Sequence, residues 1–151
     1  MSRATSVVLL AALLGTSAGL GGYTFYFAEG HSYFSKNPAA CMNCHVMRDQ
    51  FESWSHSSHR TWAACNDCHM PQGQPNGLYT KALNGFNHSL KFTTGTFPEP
   101  IVITARNQRI ALTNCVVCHG TMVHEMGITA REVGTLDCVR CHGNVGHQGN
   151  R

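Results

Sequence analysis

Cys41-Met-Asn-Cys44-His45 is a pattern that the 151-residue chain contains four times. The four copies end at His45, His69, His119 and His142, and they use all eight cysteines: Cys41, Cys44, Cys65, Cys68, Cys115, Cys118, Cys138 and Cys141. Two thiols three positions apart can form thioether bonds to the two vinyl groups of one haem, and the next histidine then lies under the iron. The sequence therefore predicts four covalently bound haem c groups and leaves no cysteine for a disulfide.

Zinc binding is the alternative use of paired cysteines. The gap between Cys44 and Cys65 is close to that of zinc ribbons, as is the gap between Cys118 and Cys138. Zinc, however, does not require a histidine after every second cysteine, and four such coincidences are very improbable with ten histidines in 151 residues. The pattern therefore favours haem.

The charge balance argues against a nucleic-acid partner. Charged residues make up 13% of the chain, the formal net charge is +3, and no basic run is present. We therefore expect no nucleic-acid binding.

The N-terminal segment is apolar over its whole length. Residues 4–28 carry no charge, and a helix of that length reaches ~37 Å, enough for a hydrocarbon core of ~30 Å. A cleaved signal peptide, with Thr16-Ser17-Ala18 as its small-residue site, is the alternative. Because the apolar run continues past that site, we predict a transmembrane anchor at 1–28, a lipid bilayer partner and an extracytoplasmic domain at 29–151. Arg3 favours a cytoplasmic N-terminus.

The remainder of the chain shows short helical patterns separated by irregular segments. Helices are predicted over 47–58, 78–92 and 104–113, with a prolyl loop at 96–100 and a capped turn at 129–134. In the second helix Leu78, Ala82, Phe86 and Leu90 form an apolar face opposite polar residues. We predict a mostly α fold with much irregular structure, consisting of one transmembrane helix and a compact tetrahaem cytochrome c domain packed around its haems.

Six histidines lie outside the motifs and are candidates for the second axial position of each iron. His59 follows the first predicted helix and His147 lies in a loop after the last motif, and both are expected to ligate a haem. His56 and His124 are weaker candidates, and His31 is expected at the membrane edge. Met47 follows His45 by two positions and is an alternative to it as the ligand of the first haem.

The chain resembles the NapC/NrfH family of membrane-anchored tetrahaem quinol dehydrogenases, and within it the small subunits of cytochrome c nitrite reductase. The resemblance covers essentially the whole chain. Its most specific segments are Cys41–Met47, Ser57–His69, Lys81–His88, Phe92–Ile101 and Cys141–His147.

The resemblance implies a ligand set. Met47, in place of His45, would hold the first haem. His69 and His147 would hold the second haem, and His119 and His59 the third. His142 would hold the fourth, with its other face completed by the catalytic partner.

The resemblance also implies a function. Membrane quinol, expected to be menaquinol, would be oxidised beside the first haem, and a periplasmic multihaem nitrite reductase would receive the electrons for nitrite-to-ammonia respiration. The chain itself would act as the quinol dehydrogenase or electron-transfer subunit and would not reduce nitrite. Lys81 matches a lysine of the quinol pocket. His88 stands where a relative has an acidic residue, and it either ligates the first haem or faces the quinol.

Two further functions remain as alternatives: a NapC-type quinol dehydrogenase that feeds another periplasmic reductase, and a soluble tetrahaem carrier released from a signal peptide. A terminal reductase is disfavoured, because no divergent motif marks a haem with an open face. The expected location is the cytoplasmic (inner) membrane, with a single span and the haem domain on the periplasmic or outer face.

Overall fold

The chain consists of helices and irregular segments. A computed structural model describes residues 2–73, 75–128 and 135–147, and these residues contain no β-strand. The backbone contacts divide the chain into two compact units, Met1–Ser35 and Lys36–Arg151. The predicted fold class, mostly α with much irregular structure, is confirmed.

The first unit is dominated by one long apolar helix. Helix α1 spans Arg3–Phe27 and begins where the Ser2 hydroxyl accepts a hydrogen bond from the Thr5 N–H at 3.2 Å. Its mean hydropathy is 1.7 and none of its residues is buried inside the protein. A short 3₁₀ helix, Gly30–Phe34, follows. Helix α1 has the length and composition to cross a bilayer once.

The second unit contains the four motifs. Two 3₁₀ helices, Pro38–Asn43 and His45–Met47, carry the first motif. The α-helices are α2 (Arg48–Ser55), α3 (Cys65–His69), α4 (Asn76–Thr94), α5 (Ala105–Glu125) and α6 (Cys138–Cys141). Helix α3 packs on α5, α6 contacts α5, and α2 packs on the 3₁₀ helix Pro38–Asn43.

The predicted helices are present with shifted ends. Helix α2 ends at Ser55, three residues before the predicted end, because the Ser55 hydroxyl and His56 Nδ1 both hydrogen-bond the Glu52 carbonyl. The helix predicted over 104–113 continues through the third motif to Glu125, since a C-x-x-C spacing places both thiols on one helix side. The prolyl loop at 96–100 is confirmed. The capped turn predicted at 129–134 lies outside the described residues.

Helix α4 presents its apolar face away from α5. Its buried residues are Gly77 and Thr80, and Thr80 is 1% exposed. Arg106 of α5 donates a hydrogen bond to the Thr80 hydroxyl at 2.9 Å, and Asn107 donates one to Asn84 Oδ1 at 3.2 Å. These polar contacts fix the rotation of α4, so that Phe86 on the opposite side is 65% exposed.

The polypeptide itself builds only a small hydrophobic core. Among the described residues, Met70 is the one buried hydrophobic side chain, and Thr80 and Asn114 are buried polar ones. A domain of this size ordinarily buries a much larger apolar interior. This composition of the interior is the one expected of a domain that folds around large apolar cofactors.

Asn114 joins α5 to the second motif. Its side-chain N–H₂ group donates to the carbonyls of Cys68 and Met70, at 2.9 and 2.7 Å, and the residue is 5% exposed. Replacing Asn114 with alanine leaves two carbonyls without this donor and is expected to lower the free energy of unfolding by about 2 kcal/mol. Urea unfolding of the haem-loaded protein in detergent, followed by circular dichroism, measures the change.

Thr113→Ala is the matched control for this substitution. Thr113 is the preceding residue, it is exposed, and its hydroxyl bonds only to the Arg109 carbonyl of its own helix. Its replacement is expected to change the free energy of unfolding by less than about 0.5 kcal/mol. An Asn114→Ala effect no larger than the Thr113→Ala effect would contradict the structural role of Asn114.

Candidate haem-binding site

The eight motif thiols are all free, and they approach one another across successive motifs. The Cys41 and Cys65 thiols hydrogen-bond each other, and so do those of Cys115 and Cys138. This bond to Cys65, reinforced by the charge of Lys81, lowers the pKa of Cys41 to about 7. Motifs one and two, and motifs three and four, are therefore neighbours in space.

The second and third motifs are neighbours as well. Burial raises the pKa of Cys68, and the nearby charges of Asp67 and Cys118 add to the rise. Burial, together with Cys138 and Cys68, raises the pKa of Cys115 to about 11. The contacts thus connect all four motifs in their order along the chain.

The His69 and His147 rings lie close together and nearly parallel although 78 positions separate the two residues in the sequence (147 − 69). Their ring centroids are 5.9 Å apart and their planes differ by 9°. With about 2 Å from an iron to each ligating nitrogen, two axial imidazoles have centroids about 6 Å apart. Burial, and then His147, lowers the pKa of His69 to about 4, which keeps the imidazole in the neutral form that binds metals.

His59 and His119 form a second pair with the same separation and a different orientation. Their centroids are also 5.9 Å apart, but their planes are 77° from parallel. Ser58 hydrogen-bonds His59 Nδ1 at 3.1 Å, which leaves Nε2 available for a metal. At His119 the backbone of α5 departs from helical geometry, with φ −108° and ψ 15°, and this kink redirects the imidazole.

The other histidines have different surroundings. His142 caps α6 and is exposed, and the described residues provide no second ring stacked on it. His56 is exposed, and its Nδ1 hydrogen-bonds the Glu52 carbonyl at 2.9 Å. His124 lies in the last turn of α5, and His31 in the 3₁₀ helix after α1.

The first motif differs from the other three. His45 is exposed, and its ring meets Phe92 of α4 edge-on at 6.3 Å. Met47 is half-buried at the end of the same 3₁₀ turn, where its N–H donates to the Cys44 carbonyl at 2.8 Å. Two candidate ligands, a thioether and an imidazole, are thus present within one turn.

The structure separates the two residues expected in a quinol pocket. Lys81 is half-buried, and its charge acts on Cys41 of the first motif. His88, two turns further along α4, lines a cavity of about 280 Å³ that does not include Lys81. Desolvation and the neighbouring charge of Lys91 lower the pKa of His88, so that the imidazole is neutral near pH 7.

This cavity contains residues that the sequence did not indicate. Asn84 and Lys91 of α4 line it together with Arg106 and Asn107 of α5. Asn107 Oδ1 is a buried acceptor with no hydrogen-bond partner among the described residues. No sequence pattern links α4 to the start of α5, where the Thr104 hydroxyl accepts a hydrogen bond from the Asn107 N–H at 3.3 Å and caps the helix.

The donor set fits haem c. It combines free thiols in pairs, two pairs of imidazoles at axial spacing, and a half-buried thioether. These are the attachment and ligation groups that c-type haems use. Among the described residues, no group of three or more His, Cys, Asp or Glu side chains is arranged to hold a bare metal ion.

Comparisons with known proteins agree with this chemistry. The sequence model of the NapC/NirT cytochrome c family, N-terminal region, matches residues 1–151. The cytochrome c-type protein NrfH of Wolinella succinogenes is 40% identical over 119 residues, which cover 78% of this chain and 65% of that protein's length.

A solved structure shares the fold. A chain in the crystal structure of the cytochrome c nitrite reductase NrfHA complex, bound to the HQNO inhibitor, superposes with a TM-score of 0.64. It is 25% identical, and the match covers 88% of each chain. A family match over the full length of the chain determines its class, and cytochromes of this class hold their haem covalently. The chain therefore belongs to the NapC/NirT cytochrome c family and carries covalently attached haem c.

Proposed function

We propose that this chain oxidises membrane quinol and passes the electrons to a multihaem nitrite reductase that forms ammonia. The observation that carries the proposal is the match, over 88% of both chains, to a chain of a cytochrome c nitrite reductase complex. The 40% identity to an NrfH protein supports the same assignment. The chain would act as the electron-transfer subunit, and the reduction of nitrite would occur on its partner.

The proposal includes four haems. Bound haem c supplies one-electron reduction and oxidation at its iron. The four cysteine pairs would attach the haems. His69 with His147 would hold one haem and His119 with His59 another, as the 5.9 Å ring separations support. His142 would supply one ligand to the fourth haem, whose other face would be completed by the partner.

Met47 would be the protein ligand in the first motif. The His45 ring is exposed and engaged by the edge of Phe92, whereas Met47 is half-buried in the same turn. A thioether ligand raises the reduction potential relative to imidazole. Met47 as a ligand would therefore make electron removal from a quinol more favourable.

Quinol oxidation releases two protons, and the cavity beside His88 offers groups to receive them. His88 is neutral near pH 7 and could accept a proton, and Asn107 Oδ1 could accept a hydrogen bond from a quinol O–H. The cavity of about 280 Å³ matches a ring head group at the lower end of ligand-pocket volumes, ~300 Å³. His88 would therefore act on the proton and would not ligate the first haem. Lys81 lies outside this cavity, on the side of Cys41, so a hydrogen bond from Lys81 to a quinol oxygen would rest on the family resemblance alone.

The membrane topology follows from the anchor. A single apolar helix in a chain of this family fits a single-pass membrane protein. Residues 1–28 would form the anchor in the cytoplasmic membrane, with Arg3 on the cytoplasmic side. Residues 29–151 would then form the tetrahaem domain on the periplasmic or outer face.

The experiment that tests the proposal is purification of the chain from its native membranes in mild detergent, with mass spectrometry of the chain and of its partners. We expect an uncleaved chain with four haems, accompanied by a multihaem nitrite reductase, and a complex that reduces nitrite with a menaquinol analogue. Co-purification with another reductase would instead favour a NapC-type pathway. A trimmed chain in the soluble fraction would contradict the membrane role.

A further inference from the structure

Helix α4 carries an exposed apolar stripe made of Leu78, Ala82, Phe86 and Leu90. The stripe residues recur every four positions, so they lie on one side of the helix. Leu78 is 53% exposed, Phe86 65% and Leu90 49%. A stripe of this regularity is normally the face that a surface helix buries.

The stripe cannot turn inward, because the opposite side of α4 is already packed. Thr80 is buried and receives the Arg106 hydrogen bond, and Asn84 receives that of Asn107. Arg106 also lies over the Tyr79 ring, 5.7 Å from its centroid. Polar contacts on one side thus hold the apolar stripe on the other side toward the exterior.

The charges of α4 suit a lipid surface. The helix contains no carboxylate, and its two charged residues are Lys81 and Lys91. Tyr79, 63% exposed beside the stripe, combines an apolar ring with a polar hydroxyl. An apolar face with a lysine at its edge, here Lys81, and an amphipathic aromatic ring beside it is typical of helices that lie in the plane of a membrane interface.

The bilayer that the anchor would cross is an apolar medium within reach of α4. Residues 28–40 connect α1 to Cys41, and a fully extended segment of 13 residues (40 − 27) spans at most about 45 Å. Part of this segment is coiled into 3₁₀ helices, which shortens it further. A protein partner would have to be recruited to α4, whereas the membrane is always nearby.

We propose that α4 is a membrane-surface helix, with the stripe of Leu78, Ala82, Phe86 and Leu90 inserted among the lipid acyl chains. This contact is independent of the quinol role proposed above. It places the Lys81 side of α4, which acts on Cys41, at the membrane surface.

Lipid photolabelling tests the contact. The haem-loaded full-length chain is reconstituted into vesicles of phosphatidylcholine and phosphatidylglycerol that contain a phosphatidylcholine with a diazirine in its acyl chain. After irradiation, the adducts are mapped by mass spectrometry. We expect adducts on α1 and on the α4 stripe, and at least about tenfold fewer on Val117 and Met122, which are equally exposed apolar residues of α5.

Charged variants sharpen the test. Phe86→Glu with Leu90→Glu is expected to reduce labelling of α4 by about tenfold and to leave labelling of α1 unchanged. Met122→Glu on α5 is the matched control and should change neither. Haem content and the visible spectrum report whether each variant has folded. If a variant does not fold, the labelling of α4 compared with that of α5 in the unmodified chain tests the membrane contact.

Two outcomes would overturn the proposal. One is labelling of α1 with α4 no more labelled than Val117 and Met122. The other is protein–protein cross-linking through the stripe, to a second copy or to the catalytic partner, without lipid adducts. Quinol oxidation is measured on the same vesicles as a separate readout. Missing α4 labelling would contradict the membrane contact, whereas missing quinol oxidation would contradict the quinol role.

Discussion

Replacing His147 with alanine is expected to remove one of two distinct low-spin haem signals from the electron paramagnetic resonance spectrum of the oxidised protein. The His69 and His147 rings are nearly parallel, at 9°, whereas the His59 and His119 rings are nearly perpendicular, at 77°. Parallel axial imidazoles separate the energies of two iron d orbitals and produce a rhombic signal. Perpendicular imidazoles leave these orbitals nearly equal in energy and produce a signal with one very large g value. His147→Ala should therefore abolish the rhombic signal alone.

The reciprocal variant is the control for this assignment. His59→Ala should abolish the large-g signal and retain the rhombic one, and His56→Ala should change neither, because His56 is exposed and bonds to a backbone carbonyl. Each variant should keep four haems by mass, since none of its thioether bonds is touched. If His147→Ala and His59→Ala lost the same signal, or if both spectra were unchanged, the two ligand pairs would be wrong.

His147→Met extends the same test to the reduction potential. A thioether in place of the imidazole is expected to raise the potential of one haem by on the order of 100 mV, within the ~0.8 V range over which axial ligands act. A purely structural role of His147 would change stability without producing a new axial-ligand spectrum. Redox titration with optical detection separates these two cases.

The haem attachment sites could be predicted from the sequence alone, because the covalent chemistry of C-x-x-C-H is local, and at the level of single residues they stay a prediction. Ligand pairs are a different matter: His69 and His147 belong to distant segments, and spacing alone allowed several pairings. The pairing came from the family resemblance, and the structure brings the two rings within 5.9 Å. Long-range pairing depends on how α3 packs on α5, which no local pattern encodes.

Helix α4 shows the limit of periodicity in the same way. Its apolar face was evident from the four-residue spacing, but its direction was not. That direction depends on hydrogen bonds between Thr80 and Arg106, 26 positions apart, and between Asn84 and Asn107. The same contacts form the wall of the cavity beside His88, so the cavity too was beyond the reach of sequence patterns.

Replacing His88 with alanine is expected to lower the rate of menaquinol oxidation by about 10²-fold, the usual contribution of a positioned general base. His88 lines the cavity next to Lys91 of its own helix and Arg106 of α5, and both are cations. Two cations in the lining favour an anionic or neutral occupant, and the charge of Lys91 opposes protonation of the imidazole. Desolvation and Lys91 together lower the pKa of His88, so the imidazole is in its neutral, proton-accepting form at pH 7.

The sign of the pH dependence follows from this shift. A base works in its neutral form, which for His88 persists to a lower pH than for an ordinary histidine with pKa ~6.5. Quinol oxidation should therefore remain high on lowering the pH through about 6.5, and should fall only when the pH reaches the lowered pKa. The His88→Ala variant should lose this acidic limb together with most of its rate. Stopped-flow reduction of the haems by a menaquinol analogue at several pH values measures both effects.

Three variants distinguish proton transfer from haem ligation and from simple packing. His88→Gln retains a hydrogen-bonding side chain but cannot accept a proton at this pH, so it should be nearly as slow as His88→Ala. His124→Ala, in the last turn of α5, should oxidise quinol at the normal rate. Asn107→Leu should raise KM more than it lowers kcat, because the buried Oδ1 would bind the quinol hydroxyl without taking its proton.

A changed axial-ligand spectrum in His88→Ala would mean that His88 ligates the first haem, and full activity in that variant would mean that the proton leaves by another group. An unchanged spectrum with slow oxidation is the combination that a proton acceptor requires, since removing a base alters the rate of proton release and leaves every iron ligand in place.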